Sequence, residues 1–207
     1  MFFGIPILLA SMCWFTQPFT HKLVMQKQST QTLSVAQKNN LQVAAHRLDG
    51  LVLQPGEMFS FNKVVGPRTL ARGYRPAPSY LGGESPATVG GGICLLSSAL
   101  YQAALKTGLK IEQRVPHLRT IHSVPPGLDA TVWYGGSDLR LMNNLQNSIR
   151  LNVQMQNQQL SLSFSGAQTV PVRAIQVVTT QRSSKELLVT VFRQEQMISR
   201  DLYRLSP

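Results

Sequence analysis

Strict alternation of apolar and polar residues marks the last third of the chain. Ile149, Leu151, Val153 and Met155 alternate with polar positions, as do Leu160, Leu162 and Phe164, the period-two signature of half-buried strands. Asn157-Gln158 between the two runs predicts a tight hairpin turn, because Asn tolerates the left-handed backbone. Ile175 to Val178 and Leu187 to Phe192 predict at least two further strands. Earlier in the chain the period changes. Leu41, Ala44, Ala45 and Leu48 form one helical stripe, with Asn39 or Asn40 as candidate cap and Gly50 as stop. Leu96, Leu100 and Ala103 form a second stripe, on a helix ending near Gly108. Leu51 to Leu53 and Met58 to Phe61 flank Pro55-Gly56 and read as a hairpin. Leu109 to Glu112 and Ala130 to Tyr134 read as strands, and Val65 to Gly83 as loop. The order predicts an α+β fold: two main helices packed on a mostly antiparallel sheet, with a β-rich C-terminal part.

The 207 residues suit one domain, and 43% hydrophobic residues exclude a disordered class. A net charge of +11 favours an anionic partner: nucleic acid, a membrane face or an envelope polymer. The cations are scattered and carry no nucleic-acid-binding motif, which makes nucleic acid the weakest of the three. Residues 2–20 hold no charge, so residues 1–22 are expected to be a signal peptide or membrane anchor, although no basic residue precedes the apolar run. Residues 23–38 read as a polar linker, 39–153 as the principal domain, and 154–207 as its β-rich C-terminal extension. Cys13 and Cys94 are the two cysteines, too few for a disulfide framework. The four histidines show no metal-ligand spacing, and neither a metal nor another cofactor is expected.

Candidate chemistry centres on Gly90-Gly91-Gly92-Ile93-Cys94, which runs directly into the second helix. A helix N-terminus favours the thiolate of a cysteine placed there, and neighbouring Gly91 and Gly92 can offer N–H groups to an oxyanion. The alternative is a buried cysteine packed beneath a glycine turn. His117 is the leading general-base candidate, His122 the reserve, and a structural histidine the alternative. Asp129 either orients an imidazole or makes an Asx turn. Arg68 and Arg119 can hold a substrate carboxylate in bidentate fashion or stand as solvated charges, and Ser97 is a third candidate substrate contact.

These residues also carry a family likeness. Asn40 to Gly50, Leu53 to Asn62 and Val65 to Arg68 resemble the opening of the VanW family. The glycine–cysteine–helix unit resembles its central motif, and Pro116-His117, Val124 to Val132 and Leu139 to Asn144 resemble its later motifs. The likeness covers residues 39 to 153. It implies a bacterial cell-envelope protein, exported or membrane-anchored, of a family named from vancomycin-resistance gene clusters. It further implies a cysteine nucleophile at Cys94, in the manner of L,D-transpeptidases acting on peptidoglycan stem peptides. The chain departs from the family pattern at Leu95 and Leu96 after the cysteine, at Val115 where a first histidine is usual, and at Leu118 where a serine is common. Four readings follow in order: an acyl-transferase on stem peptides, a hydrolase using the same site, a non-catalytic basic module gripping anionic wall polymer, and a nucleic-acid binder.

Overall fold

The computed structural model describes residues 19–79 and 87–205. Its helices and strands, in several antiparallel sheets, make an α+β fold as expected. Strand β1 (His21–Ser29) leads into helix α1 (Val35–Leu48), then β2 (Val52–Leu53), β3 (Met58–Ser60) and the short α2 (Phe61–Val65). A 3-10 turn at Leu70–Arg72, β4 (Pro76–Ala77) and β5 (Thr88–Val89) precede α3 (Cys94–Thr107). β6 (Lys110–Gln113), β7 (Arg140–Met142), β8 (Ile149–Gln156), β9 (Gln159–Gly166), β10 (Ile175–Ser183), β11 (Glu186–Arg193) and β12 (Gln196–Arg204) complete the chain.

The principal sheet has the order β1-β9-β8-β2, with α1 against β8 and α3 against β1 and β9. Its alternating residues do what the sequence pattern requires: Ile149, Leu151 and Val153 on β8 and Leu160, Leu162 and Phe164 on β9 are buried under the helices. Asn157 and Gln158 both take positive φ, at 49° and 57°, the geometry that matches a two-residue turn to the twist of its strands. Two three-stranded sheets, β3-β7-β6 and β10-β11-β12, and the two-stranded β4-β5 complete the described sheets.

Local chemistry sets the helix ends. Ser34 accepts from the Gln37 N–H while the Gln37 side chain accepts from the Ser34 N–H, a reciprocal cap that starts α1. α3 is buried along nearly its whole length, as befits a helix apolar on all sides. Gly108, at φ 87°, ends it by donating to the Ala104 and Leu105 carbonyls. No side chain caps the start of α3.

Several expectations need correction. The segment read as a polar linker instead forms β1 and the first turn of α1. β1 is a sheet-edge strand that buries Leu23 and Val24 and leaves most other side chains wet, hence its polar composition. Asn39 and Asn40 lie inside α1 rather than at its cap. Leu51 to Leu53 and Met58 to Phe61 make no hairpin: β2 pairs with β8, and β3 with β7. Ala130 to Tyr134 belongs to no sheet, and Tyr134 opens a turn, since the segment's polar groups are taken by loops and side chains. The β-rich extension of the same domain, 154–207, opens inside β8. The expected signal or anchor lies outside the described residues except for its end, where His21 and Lys22 open β1. Among the described residues no helix is long and apolar enough to cross a membrane.

Candidate active site

The glycine run forms a loop wedged between α1 and the chain at Ala77–Pro78. Asn40, fully buried on α1, donates through Nδ2 to the carbonyls of Gly91 (3.0 Å) and Arg75 (2.9 Å), and accepts from the Arg75 N–H at 2.7 Å. A side chain at Gly91 would place Cβ 2.1 Å from the Ala77 carbonyl oxygen, a backbone contact that cannot yield locally. Gly91→Ala is therefore expected to destabilise the protein by about 1–3 kcal/mol or more through overpacking, read as a lowered midpoint of urea unfolding. The loop delivers Cys94 to the uncapped start of α3, where its side chain is half-buried and donates to the Val132 carbonyl at a Sγ–O distance of 3.8 Å.

Opposite Cys94 stands His117, buried at 4% exposure. Asp129 Oδ2 accepts from the His117 backbone N–H at 2.7 Å and from its Nδ1 at 2.6 Å. That bond fixes the tautomer and turns Nε2 outward. Nε2 is buried and has no hydrogen-bond partner among the described residues. Burial works against a charge on the imidazole, but the Asp129 bond and the adjacent Cys94 sulfur outweigh it and lift the His117 pKa to about 9. Burial likewise opposes ionisation of Asp129, yet His117, Arg114 and Tyr203 bring its pKa down to about 2.

Asp129 is itself held from behind. Its Oδ1 accepts from Arg114 Nη2 at 2.7 Å and from the Tyr203 hydroxyl at 2.6 Å. Arg114 donates also to the Asp129 carbonyl (2.6 Å) and to Asp201, and lies over the Tyr101 ring. The Gly127 N–H donates to the Tyr203 hydroxyl at 2.8 Å. Burial and the neighbouring carboxylate shift the Tyr203 pKa upward, so that hydroxyl keeps its proton. From the α3 side, Ser97 Oγ donates to the Ala130 carbonyl (2.6 Å), Ser98 Oγ accepts from the Ala130 N–H (2.9 Å), and Gln102 donates to the Leu128 carbonyl (3.0 Å). The segment carrying Asp129 is thus clamped to the helix carrying Cys94.

Cys94, His117, Gly91, Gly92 and Arg68 border one cavity of about 280 Å³, with Trp133 and Tyr134 half-exposed on its wall. Asp129 sits behind His117, as an orienting group should. Three candidates find other places. Ser97 is fully buried and bonded to backbone, so it cannot meet a substrate. The Gly91 N–H is taken by the Thr88 carbonyl at 3.0 Å. The N–H groups of Gly92, Ile93 and Cys94 are the ones left without an acceptor among the described residues. Residues 118–120 bond to Arg204 along β12, which puts Arg119 in a separate depression with Lys185, Glu186 and Arg204. His122 is exposed and outside the cavity. Among the described residues no three His, Cys, Asp or Glu side chains are grouped to hold a metal.

Arg114, Asp201 and Tyr203 were not foreseen from the sequence. Arg114 meets Asp201 and Tyr203 across 87 and 89 positions, and Tyr203 meets Asp129 across 74, beyond any local spacing.

A family model described as "VanW like protein" matches residues 36–165, more than half of the chain. The uncharacterized protein YoaR of Bacillus subtilis (strain 168) is 46% identical over 114 residues, 55% of this chain and 38% of YoaR. The vancomycin B-type resistance protein VanW of Enterococcus faecalis (strain ATCC 700802 / V583) is 31% identical over 126 residues, 58% of this chain and 46% of that protein. The aligned part therefore spans less than half the length of either relative. No solved structure matches the chain.

Proposed function

This chain belongs to the VanW family, and we propose that it is a cell-envelope cysteine acyl-transferase acting on peptidoglycan stem peptides, with Cys94 as nucleophile, His117 as general base and acid, and Asp129 as the orienting carboxylate. One observation carries the reading: a cysteine and a carboxylate-anchored histidine with an unpartnered Nε2 border the same small cavity. The resistance protein among the relatives points to the envelope.

In the reactive form the thiol proton rests on His117 Nε2, as the raised imidazole pKa favours, and Sγ attacks the carbonyl carbon of a peptide bond. Negative charge then develops on the carbonyl oxygen, near the free N–H groups at the start of α3. Collapse breaks the C–N bond, the Nε2 proton goes to the leaving amine, and a thioester remains on Cys94. A second stem amine, losing its proton to Nε2, attacks the thioester and returns the sulfur as thiol. Water in place of that amine gives hydrolysis at the same site.

Incubation with a stem tetrapeptide should give an adduct, detected by intact mass, equal to the peptide less its terminal amino acid. Cys94→Ala should give none. The leaving amine needs the acid form of His117, so adduct formation should fall as pH rises through about 9. An adduct that persists without Cys94, or no adduct at any pH, contradicts the proposal.

A second reading is favoured by the net charge of +11 and by the depression where Arg119, Lys185 and Arg204 converge. There the chain would be a basic module holding anionic wall polymer, with no need of Cys94.

A further inference from the structure

Arg68 differs from the other arginines of this region in how its guanidinium is used. Its Nη1 donates to the Gly66 carbonyl at 3.1 Å. Its Nη2 is buried and has no hydrogen-bond partner among the described residues, and the side chain forms no ion pair with them. The group is nonetheless held in place. Its centre lies 5.5 Å from the Phe61 ring centroid and 5.8 Å from that of Tyr134, within cation–π range. Its stem lies against Gly90, which takes φ 88° and where an added Cβ would stand 2.7 Å from the Arg68 Cβ. By contrast, Arg114 is satisfied by two carboxylates. Arg72, whose Nε is also unpartnered, stands outside the Cys94 cavity.

We infer that Arg68 is a carboxylate-binding subsite of the Cys94 cavity, selecting acyl donors whose last residue carries a free α-carboxylate. The inference rests on Cys94 being the nucleophile and deepens that reading by naming what the cavity recognises. A fixed, partly desolvated cation with an open N–H edge suits a planar monoanion. Burial already weakens its hold on its proton, a cost that a bound anion would offset. Val89, Ile93 and Val132 give the cavity an apolar part that suits a small aliphatic side chain. At about 280 Å³ the cavity is at the small end for ligand sites. A carboxylate on Arg68 thus leaves room for one small residue before the carbonyl that Cys94 attacks. The site would release a single terminal amino acid and reject internal peptide bonds.

Two thiol-modifying reagents of nearly equal size separate this inference from the reading beneath it. 2-Carboxyethyl methanethiosulfonate holds its carboxylate carbon three bonds from the sulfur that a thiol attacks, the spacing set by one terminal residue, and 2-carbamoylethyl methanethiosulfonate is its neutral counterpart. Cys94 of the full chain is expected to favour the carboxylate reagent by about tenfold or more relative to the same ratio for a free thiol, the scale of a hydrogen bond to a charged group. Arg68→Gln should return the ratio to that of the free thiol, and Arg68→Lys, which keeps the charge but loses the planar fork, should stand between. The ratio, rather than either absolute rate, reads the carboxylate, so a variant that slows both reagents alike still reports. Should Arg68→Gln fail to fold, the drop in Arg68→Lys carries the test. A parent ratio equal to the free thiol's, or a preference that survives both variants, overturns the subsite and leaves the nucleophile standing. A Cys94 inert to both reagents overturns the nucleophile, and the subsite with it.

Discussion

Asp129→Ala is expected to cost about 3–5 kcal/mol of folding stability, the usual penalty for removing one partner of a buried ion pair. Asp129 is 1% exposed and its two oxygens receive His117, Arg114 and Tyr203. Its loss leaves the Arg114 cation to Asp201 alone, on a side chain only 4% exposed. The penalty should depend on pH, with a sign fixed by the two shifted groups. The Asp129 pKa is depressed to about 2, so its contribution is complete above the unfolded value and fades as pH falls through about 2. The His117 pKa is raised to about 9, so its contribution is complete below its unfolded value and fades as pH rises through about 9. Parent and variant should therefore differ most between pH 4 and pH 6.5, roughly the unfolded values of the two groups. Urea unfolding across that range measures the difference. A gap under about 1 kcal/mol throughout would mean that Asp129 is not the centre of the buried network.

How much of this was legible in the chain depended on how local the signal was. α3 announced itself through its apolar run and Gly108, and β8 and β9 through alternation closed by Asn157-Gln158, because both patterns are complete within a few residues. β1 failed as a reading because an edge strand over a half-wet sheet buries little beyond Leu23 and Val24. Ala130 to Tyr134 has strand composition, yet its carbonyls go to Ser97 and Cys94 rather than to a ladder. At the site, residue chemistry singled out Cys94, His117 and Asp129, and the structure brings them together. Choosing Arg68 over Arg119 needed the fold, because both are arginines in loop-like sequence and only the strand-like path beside β12 carries Arg119 away. Tyr203 and Asp201 lie beyond the matched family segment, and contacts with Arg114 and Asp129 across 87 and 74 positions leave no trace in local sequence.

His117→Ala carries the second large effect. Removing the imidazole leaves the Cys94 thiol proton without an acceptor and the leaving amine without a donor, so thioester formation should slow by about 10²–10⁴-fold. The same loss is visible without any substrate, and there it tests the pairing of Cys94 with His117 most directly. The measurement is the rate of Cys94 alkylation by iodoacetamide against pH, in the parent and in His117→Ala. If the two residues form a nucleophile pair, the parent is alkylated about tenfold or more faster than the variant at neutral pH, and the two rates converge at alkaline pH where any thiol ionises. Superimposable profiles would show that His117 does not act on Cys94, and the acyl-transferase account would fall.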